Sequence, residues 1–224
     1  MSFGDKKLSE IAVSVPGSTS LLRKYDLDFC CGGSDTLANA AAEKGLNLAE
    51  IETRLTELQN SKAENPEEYW VNATYPEIID HILVRYHQRH REQLQELIVL
   101  ADRVESVHGD REDCPIGVAA ELRNVYEDLS NHMMKEEHVL FPMIKAGNYM
   151  MAQMPIRMME MEHAEHGEHL DVLKSLTNNM TPPADACNTW RALYSGIQEF
   201  ADDLMMHIHR ENNILFPRVI AENH

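Results

Sequence analysis

Apolar residues along the chain recur at helical spacing, and no stretch alternates in twos with the β-branched enrichment of a strand. Leu8, Ile11, Ala12 and Val15 predict a short helix that stops at Pro16. Ser18 stands where it could cap STSLLRKY, and Asn47 with Glu50 three residues later forms a capping box ahead of LAEIETRLTELQ. Residues 1–60 thus read as a small domain of short helices, with DLDFCCGGSDT between them as a loop or helix end. The polar stretch SKAENPEEYWVNATYP, with Pro66 and Pro76, breaks the periodicity and sets a linker at 61–74. Beyond it four longer amphipathic segments follow, at about 76–107, 115–145, 155–178 and 185–217. Their connections HGDREDCPIG, KAGNY and NNMTPPAD carry turn and breaker residues. The expectation is an all-α protein, an antiparallel four-helix bundle behind a small N-terminal helical domain.

Composition narrows the setting. Of the 224 residues 43% are hydrophobic, enough to bury a core. No apolar run reaches the roughly 18 residues of a membrane-spanning helix, and MSFGDKKLSE lacks the apolar stretch of a signal peptide. A cytoplasmic protein is expected. The net charge of -17 disfavours a nucleic-acid partner. Four cysteines, two of them the adjacent Cys30 and Cys31, make no disulfide framework and read as reduced thiols.

The chemistry lies in a repeated phrase. HMMKEEHVLFPMI at 132–144 returns as HIHRENNILFPRVI at 207–220. On a helix, residues four apart share a face, so His132 points with Glu136 and His207 with Glu211. His87 precedes His132 by 45 residues and His163 precedes His207 by 44, so the two halves repeat each other. A bundle core could gather four imidazoles and two carboxylates. Burying two glutamates costs several kcal/mol each unless cations or partners offset it. If each carboxylate bridges two metals, each metal receives two nitrogens and two oxygens, and a solvent-derived bridge adds a fifth ligand. Such a set suits iron or manganese better than structural zinc. On the first helix His90 lies nearer the centre of the apolar face than His87, and spacing leaves both open.

These motifs, with RKYDLDFCCGG at 23–33 in front of them, resemble the RIC (YtfE/ScdA) family of iron-sulfur cluster repair di-iron proteins, whose bundle is a hemerythrin-like domain. The resemblance runs over nearly the full length. It implies an ScdA-type domain at 1–60, a hemerythrin-like four-helix bundle at 75–224, and two non-haem iron ions bridged by carboxylates and an oxo group. The ligands it implies are His87, His132, His163 and His207, with Glu136 and Glu211 as bridges. It further implies repair of clusters damaged by nitric oxide or oxidants, through iron donated to iron-sulfur proteins or cluster scaffolds. Reduction of nitric oxide or dioxygen at the irons, and sensing, are the alternative activities. Oxygen-carrying hemerythrins have a second histidine four residues after the third-helix ligand. Gly167 stands there, which argues against a plain oxygen carrier.

Supporting residues follow from the same logic. Ligand histidines need acceptors for their second ring nitrogen, and Asp128, Glu162 and Glu165 are candidates. His81, His138, His169, His209 and His224 read as solvated or supporting, and His108 as a helix-end cap. Pro142 and Pro217 read as helix terminators. All methionines but Met1 lie between 133 and 206, which is suggestive of copper, yet core filling is the expectation. Cys30 and Cys31 either allow a tight turn beside Gly32 and Gly33 or, if exposed with lowered pKa, pass iron or electrons.

Overall fold

The computed structural model describes residues 2–61 and 64–222; His224 and residues 62 and 63 of the expected linker lie outside the described residues. The fold is all-α, with no strand among the described residues and only an isolated bridge between Lys7 and Thr36. The chain divides into two compact units, Met1–Ile78 with Met206–His224, and Ile79–Met205.

In the first unit α1 (Leu8–Ser14), α2 (Ser18–Lys24), α3 (Leu37–Glu43) and α4 (Leu48–Asn60) bury Leu8, Ile11, Leu22, Leu37, Ile51 and Leu55. Asn47 caps α4 by accepting the Glu50 N–H, as expected. Ser18 does not cap α2. Gly17 takes that position at φ 73°, and the buried Ser18 hydroxyl donates to the Ile11 carbonyl. The stretch read as linker contains a helix, α5 (Pro66–Asn72), because Asn65 caps it and Pro66 fills its first turn, where no N–H is needed.

The second unit begins within α6 (Tyr75–His81) and continues through a π turn, Ile82–His87, into α7 (Gln88–His108). Next come α8 (Val118–Lys135), a π turn at Glu136–Leu140, α9 (Phe141–Lys145) and α10 (Tyr149–Leu176). In α11 (Asn188–Arg210) the division between the units falls after Met205. A third π turn, Glu211–Leu215, leads to α12 (Phe216–Ala221). Helix α8 packs on α7 and on α10. Arg85 and Gln93 on the first long helix bond Asp203 of α11. Gly196 lets α11 approach α7, since a Cβ there would lie 2.7 Å from Leu97 Cδ2.

Pro142 and Pro217 do not terminate their helices. The N–H of Phe141 bonds the Glu136 carbonyl and that of Phe216 bonds the Glu211 carbonyl, each five residues back. The widened turn restarts the α register just before each proline, where the missing N–H removes no bond of the new segment. Nor do the methionines all fill the core. Met133 and Met159 are buried, whereas Met134, Met150, Met151, Met154, Met158 and Met161 are exposed.

Candidate metal centre

Within the Ile79–Met205 unit, three histidines surround one buried carboxylate. His87 ends the first π turn and is buried, with Nε2 3.3 Å from Glu136 Oε2. His132, in the last turn of α8, places Nε2 3.4 Å from the same oxygen. His163, midway along α10, is buried with its Nε2 3.1 Å from His132 Nε2. His132, Glu136 and His163 each offer a ligand atom within 4.8 Å of the others. Glu136 itself opens the second π turn, so the widened helix turn begins at the carboxylate.

The far side of two rings is also occupied. Glu137 Oε1 lies 2.8 Å from His87 Nδ1 and 2.7 Å from Arg91 Nη2. Glu162 Oε2 lies 2.9 Å from His132 Nδ1, while its other oxygen accepts from Lys135 Nζ. The His87 hydrogen bond, aided by Arg91, holds Glu137 at a pKa of about 2, and His132 with Lys135 does the same for Glu162. Acids so strong stay ionised and act as acceptors only. Each therefore draws a proton to Nδ1 and leaves Nε2 with a lone pair, the tautomer a metal ligand needs.

Several expected placements change. Glu162 supports His132 across the helix pair rather than its neighbour His163, and Glu165 is exposed. Asp128 serves His169, 3.1 Å from its Nε2, not His132. His108 bonds Cys187 Sγ at 3.3 Å and its ring lies beside Trp190. Both first-helix candidates are buried. His87 faces Glu136, and His90 packs between Tyr86 and Phe200. Glu137 was missed; its signal was an acid adjoining Glu136 and therefore about 100° around the helix, toward the first-helix histidine. His166 is also buried and lies edge-on to His132.

In the other unit, His207 Nε2 lies 3.2 Å from Glu211 Oε1, and both residues are buried. His209 is not solvated as expected. It is fully buried, edge-on to Phe29, with Nε2 3.4 Å from Glu67 Oε2. Burial lowers the His209 pKa even though Glu67 pulls it up. Glu67 also pairs with the buried Arg210, whose guanidinium lies over Trp70. Burial opposes ionisation of Glu67, but the nearby His209 ring and the hydrogen bonds and charge of Arg210 prevail, and its pKa is lowered.

The Cys-Cys-Gly-Gly element belongs to this same unit. Asp28 accepts the N–H groups of Cys30, Cys31 and Gly32 at 3.0, 2.9 and 2.9 Å. Asn212 and Asn213 donate to the Cys30 and Phe29 carbonyls. A Cβ on Gly33 would meet the Phe29 carbonyl at 2.5 Å, so the turn requires glycine there. All four cysteines are free, and the Cys30 and Cys31 sulfurs are 3.8 Å apart. The condition for an activated Cys30 is not met: it is buried, and its contact with Cys31 together with burial raises its pKa well above the usual thiol value.

Comparison with known proteins agrees with both parts. The model of the hemerythrin HHE cation binding domain matches residues 78–219, and that of the ScdA_N domain of unknown function (DUF542) matches residues 4–59. A probable iron-sulfur cluster repair protein of Haemophilus influenzae is 68% identical over 222 residues, covering 99% of this chain and 100% of that protein. The chain belongs to the RIC (YtfE/ScdA) family of iron-sulfur cluster repair proteins. Other RIC relatives include the iron-sulfur cluster repair protein YtfE of Musicola paradisiaca, 54% identical over 98% of both chains. The YtfE of Citrobacter koseri is 55% identical over 99% of both. This RIC chain has a hemerythrin-like, metal-binding domain. No helix among its described residues is long and apolar enough to cross a membrane.

Proposed function

We propose that this protein holds two iron ions on His87, His132, Glu136, His163, His207 and Glu211, and donates iron to iron-sulfur clusters damaged by nitric oxide or oxidants. The observation that carries this reading is the pair of ionised acids behind the histidines, Glu137 on His87 and Glu162 on His132, which leave both Nε2 atoms as bases beside a buried carboxylate. Neutral nitrogen donors with buried carboxylates fit ferrous or ferric iron, and no thiolate is included that would favour zinc. The repeat of His-x-x-x-Glu in the sequence supports the assignment of His207 and Glu211 to the same centre. The names of the relatives support cluster repair as the task and iron-sulfur proteins or scaffolds as acceptors.

Bound iron would supply open coordination positions for nitric oxide or dioxygen. This chain's own residues bind and orient. The imidazoles hold their lone pairs inward because Glu137 and Glu162 keep a proton on Nδ1, and the packed helices around them exclude water. Release of iron as cargo requires those imidazoles to give up a metal, and a proton returned to Nε2 would favour it. The working division is an ScdA-type domain at 1–60, a linker at 61–74 and the hemerythrin-like bundle at 75–224. The four free cysteines support a reducing, cytoplasmic setting.

The test uses the di-ferrous protein mixed with an apo-cluster acceptor. Stoichiometric iron loss to the acceptor without turnover is the expected result. Chelator-resistant iron with steady conversion of nitric oxide to nitrous oxide would overturn donation in favour of an enzyme.

A further inference from the structure

The methionines expected to fill the core instead form an exposed stripe on α10. Met150, Met151, Met154, Met158 and Met161 are 50 to 72% exposed. At about 100° per residue the five fall within an arc of roughly 100°, opposite the face that buries Ile156, Met159 and His163. From Met150 to Met161 the stripe runs about 16 Å along the helix. Met150 to Met154 and Met154 to Met158 are four apart, and Met151 to Met154 and Met158 to Met161 are three apart, the spacings at which helix side chains meet. Each inner thioether therefore has thioether neighbours on both sides.

Five adjoining methionines in water form a contiguous exposed apolar stripe, the kind of surface that marks interaction sites. Their common chemistry is a soft, neutral, polarizable sulfur on a flexible arm. Thioethers of this kind select copper(I) over harder cations. The surroundings favour a cation: the chain carries a net charge of -17, and the exposed Glu165 lies on the same arc one turn past Met161. Arg157 flanks the stripe beside Glu160. We infer that the Met150–Met161 face of α10 is a surface site for copper(I), held by the thioethers of Met154 and Met158 with Met151 or Met161 as the third donor.

The site is separate from the iron ligands in chemistry as well as in facing. A thioether has no proton to gain at mildly acidic pH, so copper(I) binding there should persist where imidazole ligands release their metal. The experiment titrates the iron-loaded protein, labelled with 13C in the methionine methyls, with copper(I) kept reduced under argon. Competition against a copper(I) chelator gives the affinity. The expected result is that the methyl signals of Met154 and Met158 move first. The Met154→Leu/Met158→Leu variant, which removes two of the three donors, should then hold copper(I) at least roughly tenfold more weakly, since loss of an outer-shell partner alone costs about that much. Iron content and melting temperature should be unchanged, because both side chains are exposed. Equal copper(I) affinity in the two proteins, or methyl shifts confined to methionines outside the stripe, would overturn the site. That result would return the stripe to other partners and would leave the iron centre untouched.

Discussion

The two copies of the repeated phrase share a backbone and differ in everything around it. Both enter a π turn at the glutamate, Glu136 or Glu211, and both resume an α register at Phe141-Pro142 or Phe216-Pro217. In the first copy, of the three residues between the histidine and the glutamate, Met133 is buried while Met134 and Lys135 are about half exposed. In the second, Ile208 is likewise buried, but His209 and Arg210 are 0% and 3% exposed and both engage Glu67. After the glutamate, Glu137 supports His87, whereas Asn212 and Asn213 hold the carbonyls of the cysteine loop. One copy uses its spare positions to orient buried histidines, and the other to anchor the segments before residue 78. A repeated motif therefore specifies the buried His-Glu pair and leaves solvent-side positions open to local tasks.

The comparison breaks if the two glutamates are not equivalent. Glu136→Leu and Glu211→Leu should each lose most of the bound iron, measured as metal per chain, while His209→Ala should retain it. Iron loss confined to one of the two glutamates would end the equivalence. The next largest effect separates the copies in stability. Glu67→Ala leaves the Arg210 guanidinium buried without its carboxylate, and should cost about 3–5 kcal/mol in denaturant unfolding. Lys135→Ala in the first copy, at an exposed pair, should cost no more than about 1 kcal/mol.

Two smaller effects sharpen it further. Glu137→Gln and Glu162→Gln remove the ionised acceptors behind His87 and His132, and should weaken iron retention by about tenfold to a hundredfold in chelator competition. The pH dependence of stability probes the second copy through its histidine. His209 has a lowered pKa in the folded state, so its neutral form contributes stability above the ordinary imidazole value of about 6.5, and this is lost as pH falls through that range. Glu67, also lowered, adds a loss as pH falls below the ordinary carboxylate value of about 4.3. The decline of melting temperature from neutral pH toward pH 5 should be shallower in His209→Gln than in the natural protein. Identical slopes would remove His209 from the account.

The four long helices and the two His-x-x-x-Glu pairs were legible in the sequence because helical periodicity and i,i+4 spacing are local. The support for the histidines was only half legible. Glu162 was named, but it serves His132 on another helix, and Asp128, one turn from His132, turned to His169 instead. Reach across a helix pair depends on packing, which sequence distance does not encode. The prolines misled for a related reason: a π turn costs one residue of register, and no apolar pattern announces it. Helix α5 was hidden by polar residues, although Asn65 and Pro66 were a sound start signal. The methionine cluster was read from composition alone, and composition cannot say which face of α10 points to water.

From spacing along the chain alone come the all-α fold class and the two His-x-x-x-Glu pairs, because both follow from helical periodicity, which is local. Only the tertiary structure decided which acids orient which rings, that His209 and Arg210 are buried anchors, that Cys30 is a masked thiol, and that five methionines face solvent. The physical reason is the same in each case. Burial and hydrogen-bond partnership depend on which helices become neighbours, and residues far apart in the chain settle that together.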